Sequence, residues 1–196
     1  MDQIRNMDND KINLQLLIEG CRNNNRQSQR KLYEHFYGYG MSVALRFGEN
    51  REEALEIVND SFLKVFNRLD QYDAAFPFKT WFRRIVINSA IDYFRKFHKQ
   101  PNFLEITEVG DMKDVDSHLY DISPEEDMLP LIQKLPPAYR MVFNLYVMEE
   151  YKHHEIAEIL NIGVGTSKSN LARAKVKLRE LILKKRSNSS KHFRNG

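Results

Sequence analysis

Ala54, Ile57, Val58, Phe62, Val65, Phe66 and Leu69 recur at steps of three and four residues and draw one apolar stripe along a helix of about five turns. Such a helix has one side to bury, and what can bury it is set by the rest of the chain. No segment alternates apolar and polar residues with the two-residue period of a half-buried strand, and no Asn-Gly turn joins β-branched runs. The expected class is therefore all-α, helices packing on helices.

The other elements follow from the same period. Helices are expected over Ile12 to Gly20, Gln27 to Phe47, and from an Asn50 cap to Leu69. A turn at Asp73 to Pro77 leads into a helix from Phe78 to Phe97, with Phe82, Ile85, Val86, Ser89 and Tyr93 inward. From Gln100 to Pro124 the periodicity fades and Asp, Glu and Ser accumulate, the composition of a flexible acidic linker. A second set begins with Glu125 to Leu135. Pro136 and Pro137 then suit the start of a helix with Ala138, Met141, Val142 and Leu145 inward. His153 to Leu160, a turn at Asn161 to Gly165, and a helix from Thr166 to Leu183 complete it, with Leu171, Ala174, Leu178 and Leu181 inward. The organisation read from this is an N-terminal helical domain over 10–100, the linker over 101–124, a four-helix-type helix-turn-helix domain over 125–184, and a frayed basic tail over 185–196.

Net charge is only +3, but its distribution is uneven. Lys79, Arg83, Arg84, Arg95, Lys96 and Lys99 face Asp92 alone between Phe76 and Gln100, and beyond Thr166 the basic residues face only Glu180. Two basic blocks on helices, separated by an acidic stretch, are the footprint of two surfaces for nucleic acid. The acids from Asp111 to Asp127 are placed to screen one of those surfaces until a partner separates the domains.

In the second domain, Ile156 and Ala157 lie on the supporting helix of a helix-turn-helix, Ile162 plugs the turn, and Gly163 and Gly165 supply backbone freedom. Thr166 is the expected cap of the recognition helix. Ser167, Lys168, Asn170, Arg173 and Lys177 are its expected outer positions, Asn170 suited to an adenine edge and Arg173 to guanine or phosphate. His153 or His154 is placed to hold backbone phosphate. In the first domain Arg84, Asn88, Asp92 and Arg95 share one side of a helix with Lys96 beside them, Asp92 pairing with Arg95 or Lys96. Tyr72, Phe76, Phe78, Trp81 and Phe82 adjoin that side. Rings that stack on unpaired bases, together with cations for the backbone, are the means of holding single-stranded DNA, although Phe82 reads as core.

Several classes are excluded. Cys21 is the only cysteine, so a disulfide framework or thiolate cluster is impossible. His154 and Glu155 begin a zinc-peptidase pattern whose second histidine is replaced by Glu158. No catalytic residue, metal or cofactor is expected. With no secretory leader and no apolar span, the expectation is a cytoplasmic protein without direct membrane insertion.

EALEIVNDSFLKVF (53–66) followed by FPFKTWFRRIVINSAIDYFRK (76–96) resembles the first conserved domain of the sigma-70 family, in its extracytoplasmic-function branch. LPPAYRMVFNLYVMEEYKHHEIAEILNIGVGTSKSNLARAKVKLRE (135–180) resembles the second. The resemblance implies a subunit that binds core RNA polymerase and confers promoter recognition, melting and initiation. It implies that Glu56, Asn59 and Asp60, with Phe62 at the aromatic position, dock on the clamp helices of the polymerase largest subunit. It assigns Arg84, Asn88 and Arg95 to reading and opening the minus-ten element, the loop Asp70 to Phe76 to a flipped base, and Thr166 through Lys177 to the minus-thirty-five element. A membrane-associated anti-sigma protein is the kind of regulator it implies. Ser167 and Asn170 depart from the Val and Arg of the family pattern. The alternative, a stand-alone helix-turn-helix regulator, accounts for the second domain but leaves the acidic and aromatic-basic helices of the first without a role.

Overall fold

The computed structural model describes residues 13–97 and 128–192. The expected linker, the first residues of the expected second domain and the end of the basic tail lie outside them. The described residues form α1 (Leu14–Arg22), α2 (Arg26–Ala44), α3 (Arg51–Arg68), a 3-10 turn (Leu69–Gln71), α4 (Phe78–Phe97), α5 (Leu129–Gln133), α6 (Pro137–Phe143), a π-helical turn (Asn144–Met148), α7 (His153–Leu160) and α8 (Val164–His192). The protein is all-α, as expected. Its contacts divide into two compact units, the first built from the chain up to Ala44 with Leu55–Ser89, the second from Leu45–Ala54 with the chain from Ala90 onward.

In the first unit, Asn13 caps α1 by accepting from the Leu16 amide at 3.2 Å. Asn24, at φ 55°, reverses the chain into α2. The two helices meet so closely at Gly20 that a Cβ there would lie 2.2 Å from Ser28 Oγ. Arg22 donates to the carbonyls of Leu69 and Tyr72 at 3.2 and 3.1 Å and thereby ties α1 to the turn after α3. The core is aromatic. Phe36 of α2 lies 4.8 Å from Phe78, and Phe62 of α3 lies 4.8 Å from Phe82 of α4, measured between ring centroids. Phe62, Phe78 and Phe82 are at most 2% exposed. Buried rings of this size each remove a large apolar area from water, which is the main stabilising contribution here.

In the second unit, Asn50 Oδ1 accepts from the Glu53 amide, and the Glu53 carboxylate accepts from the Glu49 amide, both at 2.9 Å, so α3 starts where Asn50 was expected to cap it. Four helices, α5 to α8, make the helix-turn-helix part. Arg140 of α6 is 1% exposed, yet each nitrogen of its guanidinium has a partner. Nε donates to Phe47 O at 2.9 Å, Nη1 to Gln133 O and Leu135 O at 2.8 and 3.3 Å, and Nη2 pairs with Glu49 at 3.2 Å. Asn144 Nδ2 donates to Arg46 O at 2.6 Å, and Gln133 Nε2 to Leu45 O at 3.1 Å. Burial pulls the Arg140 pKa below its ordinary value, while Glu49 and Glu53 oppose the shift.

α7 starts with Glu155 accepting from the Lys152 amide at 2.6 Å, which supplies the cap that Lys152, a donor only, cannot. It ends in a Schellman arrangement: Ile162 N–H donates to Ala157 O at 3.0 Å, Asn161 N–H to Glu158 O at 3.3 Å, and Asn161 sits at φ 52°. The left-handed residue of the turn is thus Asn161. Neither Gly163 nor Gly165 has positive φ, contrary to the role expected of them. α8 starts at Val164, with Gly163 O accepting from the Ser167 amide at 3.0 Å. Thr166 is therefore inside the first turn and is not the cap. The helix also runs to His192, past the expected end at Leu183 and into the stretch read as a frayed tail.

Candidate nucleic-acid and partner interfaces

At about 100° per residue, the buried positions of α8 span one continuous arc: Ser167, Asn170, Leu171, Ala174, Leu178 and Ile182. Ser167 is 0% and Asn170 5% exposed. Both were expected on the outer face, and both point into the unit, because the register places them beside Leu171 and Ala174. Lys168 and Lys177 are exposed, and Thr166 and Arg173 are half-buried. Over the first half of α8 the centre of the outer arc is small: Gly165, Ser169 and Ala172, with Ser169 Oγ donating to Gly165 O at 2.8 Å, and Val176 and Glu180 follow it toward the C-terminus. Ser169 belongs to this surface and was missing from the expected outer positions, which included the buried Ser167 and Asn170 instead; Val164, 43% exposed, lies at the helix start on the edge of the buried arc. Basic side chains therefore flank a low centre, with Lys168 and Arg179 on one side and Arg173 and Lys177 on the other. Lys177 also pairs with Glu180 at 3.0 Å.

His153, at the start of α7, is turned toward α8. Its Nδ1 lies 2.9 Å from Ser167 Oγ, and its ring stacks on Tyr146 of the π-helical turn at 4.5 Å between centroids. Burial, then Lys168 and Lys175, hold the imidazole below its ordinary pKa.

On α4, Arg84, Asn88, Asp92 and Arg95 lie on one exposed stripe, with Lys96 exposed beside it. Asp92 pairs with Arg95 at 3.7 Å, and Arg95 Nη2 also donates to the Ile159 carbonyl of α7. Lys96 Nζ sits 4.6 Å from the centre of the Phe97 ring. Most of the adjoining aromatics are core. Tyr72, Phe78 and Phe82 are at most 8% exposed, Trp81 is half-buried, and Phe76 alone of the set is open, at 65%. Tyr72 OH donates to Phe76 O at 2.7 Å and Asp73 Oδ1 accepts from the Ala75 amide at 2.9 Å, which shape the loop that carries Phe76 outward. Tyr93 is half-buried, whereas it was expected in the core; its ring lies 4.5 Å from Phe97.

On α3, Glu56, Asn59 and Asp60 are exposed, and Asn59 Oδ1 accepts from Tyr33 OH at 3.1 Å. Phe62 is interior, packed between Tyr33, Phe66 and Phe82, so it supports this face from beneath and offers nothing to a partner. Leu63, 62% exposed, lies amid the acidic residues at helical spacing, with Leu55 at its edge. Leu63 is thus an apolar side chain left open to water at the centre of a charged face.

The fold holds a helix-turn-helix in one unit and a second helical unit beside it in the chain, with exposed basic side chains on α8 and α4 and an exposed acidic face on α3. A family model for sigma-70 region 2 matches residues 32–99, and one for sigma-70 region 4 matches residues 126–178. The chain is 33% identical over 146 residues to the ECF RNA polymerase sigma factor SigW of Bacillus subtilis (strain 168), covering 68% of this chain and 77% of that protein. It is 26% identical over 172 residues to the ECF RNA polymerase sigma-E factor of Haemophilus influenzae, covering 82% and 90%. A solved structure of CnrH in complex with the cytosolic domain of CnrY is 22% identical, with a TM-score of 0.42, and covers 85% of this chain and 95% of its own.

The chain belongs to the sigma-70 family of RNA polymerase sigma factors, in the extracytoplasmic-function branch. It directs RNA polymerase to promoters for transcription initiation and is itself non-catalytic. Among the described residues no helix is long and apolar enough to cross a membrane.

Proposed function

We propose how the residues divide this work. Glu56, Asn59 and Asp60, with Leu63 and Leu55 as apolar contacts, form the face that docks on the clamp helices of the polymerase largest subunit. Arg84, Asn88, Arg95 and Lys96 hold the minus-ten strand, and the loop carrying Phe76 receives an unstacked base. Lys168, Arg173 and Lys177, with Thr166 and Ser169, meet the minus-thirty-five duplex, while Ser167 and Asn170 shape the helix from within. The observation that carries this reading is the arc of α8 left open by its packing on α6 and α7, whose flanks are basic and whose centre is small enough for close approach to a groove. An anti-sigma protein that covers these faces is the regulator the family relationship suggests.

Run-off transcription with core polymerase on a library of genomic fragments tests the function and defines the promoter. On a promoter so recovered, Lys168→Ala and Lys177→Ala are each expected to weaken holoenzyme binding by roughly three- to tenfold and to reduce the salt slope by about one. Unchanged affinity and slope would remove these lysines from the interface. The double variant Glu56→Lys with Asp60→Lys is expected to lower capture of core polymerase by roughly 100-fold, since reversed charges meet a surface complementary to acids. Assembly at the wild-type level in a pull-down would dismiss the docking face.

A further inference from the structure

Ser167 Oγ is completely buried, and its partner is His153 Nδ1. A serine hydroxyl carries a proton that needs an acceptor, and inside a protein an unmet donor is costly. The neutral imidazole with its proton on Nε2 leaves Nδ1 free to accept the hydroxyl proton, which satisfies both groups. Protonation turns Nδ1 into a donor. Ser167 Oγ must then accept from the ring, and its own proton has to leave its present partner and turn elsewhere.

We propose that His153 is a positioning residue whose neutral imidazole locks the first turn of α8 to α7, and that this lock opens on acidification, loosening duplex recognition by the protein. The proposal rests on the reading of α8 as the duplex-facing helix. Burial and the two lysines beside the ring favour the same direction. Lys168 and Lys175 on α8 repel an imidazolium, Tyr146 of the π-helical turn covers one ring face, and the Glu155 carboxylate on α7 accepts from the Lys152 amide. Because the native state holds the imidazole below its ordinary value, the unfolded chain takes up the proton first. The lock is complete above about pH 6.5 and is lost as pH falls through the lowered native value.

This role differs in sign from a phosphate grip. An imidazolium that held phosphate would be stabilised by DNA, and affinity would rise as pH fell. Here affinity falls.

The full chain is measured first by hydrogen exchange of the amides from 166 to 169, at pH 7.5 and 5.5, corrected for intrinsic rates. The wild type is expected to lose roughly fivefold in protection at the lower pH. Ser167→Ala, which has no hydroxyl proton to displace, and His153→Asn, whose amide oxygen accepts without titrating, should show no such loss. Equal protection at both pH values in the wild type, or an unaltered loss in Ser167→Ala, overturns the lock. Holoenzyme is then measured on a promoter fragment recovered from the run-off selection. Affinity of the wild type should fall by about three- to tenfold over the same range relative to His153→Asn. A wild-type affinity that rises on acidification overturns the proposal in favour of a phosphate grip. The exchange arm contains no DNA, so a pH-dependent lock with no matching change in promoter affinity counts against α8 as the duplex reader, and not against the lock.

Discussion

Phe82→Ala will lower the unfolding free energy of the first unit by about 4 kcal/mol, the largest effect expected of any single truncation in it. Phe82 is 0% exposed and meets rings from three directions: Phe36 and Tyr39 of α2, Phe62 of α3, and Phe78 within α4. Its ring also stands against Gly40, where a Cβ would lie 3.1 Å from its Cζ, so α2 approaches closely at that point. Close packing leaves the cavity little to collapse into, because the surrounding rings are rigid and hold one another in place. Chemical denaturation followed by circular dichroism gives the value. A loss under 1 kcal/mol would mean that the aromatic cluster repacks freely and does not set the spacing of α2, α3 and α4.

Arg140→Met will cost about 3 kcal/mol in the second unit, although methionine is close in length and apolar. The substitution leaves the carbonyls of Phe47, Gln133 and Leu135 without the donors that now meet them. Glu49 suffers less, since its side chain is 43% exposed and water can replace the lost partner. Arg140→Lys is expected to recover only part of the loss. One ammonium cannot serve acceptors that the planar guanidinium reaches in diverging directions. Thermal unfolding of both variants checks the order, and a lysine variant as stable as the wild type would show that charge, not the fork of donors, is what the site requires.

The fold was largely legible where period and punctuation agree. α4 begins after Pro77 and α7 begins at His153 as expected, since the apolar spacing is regular and proline or a polar turn marks each start. The start of α8 is obscured in the sequence because the paired glycines Gly163 and Gly165 suggest unusual backbone angles. Glycine also serves at an N-terminal cap, and Asn161 took the left-handed position. Of the candidate site, the lysines of α8 and the polar residues of α3 and α4 were readable from charge and spacing. Ser167 and Asn170 were not, because small polar side chains were assigned to the outside, whereas the register of α8 puts them in its buried arc. Arg140 escaped for the same reason: arginine is a surface residue by habit, and the nearby carbonyls of Gln133 and Leu135 do not announce that Phe47, 93 residues away, and Glu49 complete the set of partners. Phe62 is inside, as its place in the apolar stripe requires, which removes it from the docking face, while Leu63, outside the stripe, stands in water.

The acceptors met by Arg140, Asn144 and Gln133 on the 45–47 segment are all main-chain oxygens. Recognition of that kind is blind to side-chain identity. Leu45 and Arg46 can drift among many residue types over evolutionary time without disturbing the bonds they accept, whereas the insertion or deletion of a single residue would shift every oxygen out of register at once. This stretch should therefore tolerate spelling changes and resist changes of length.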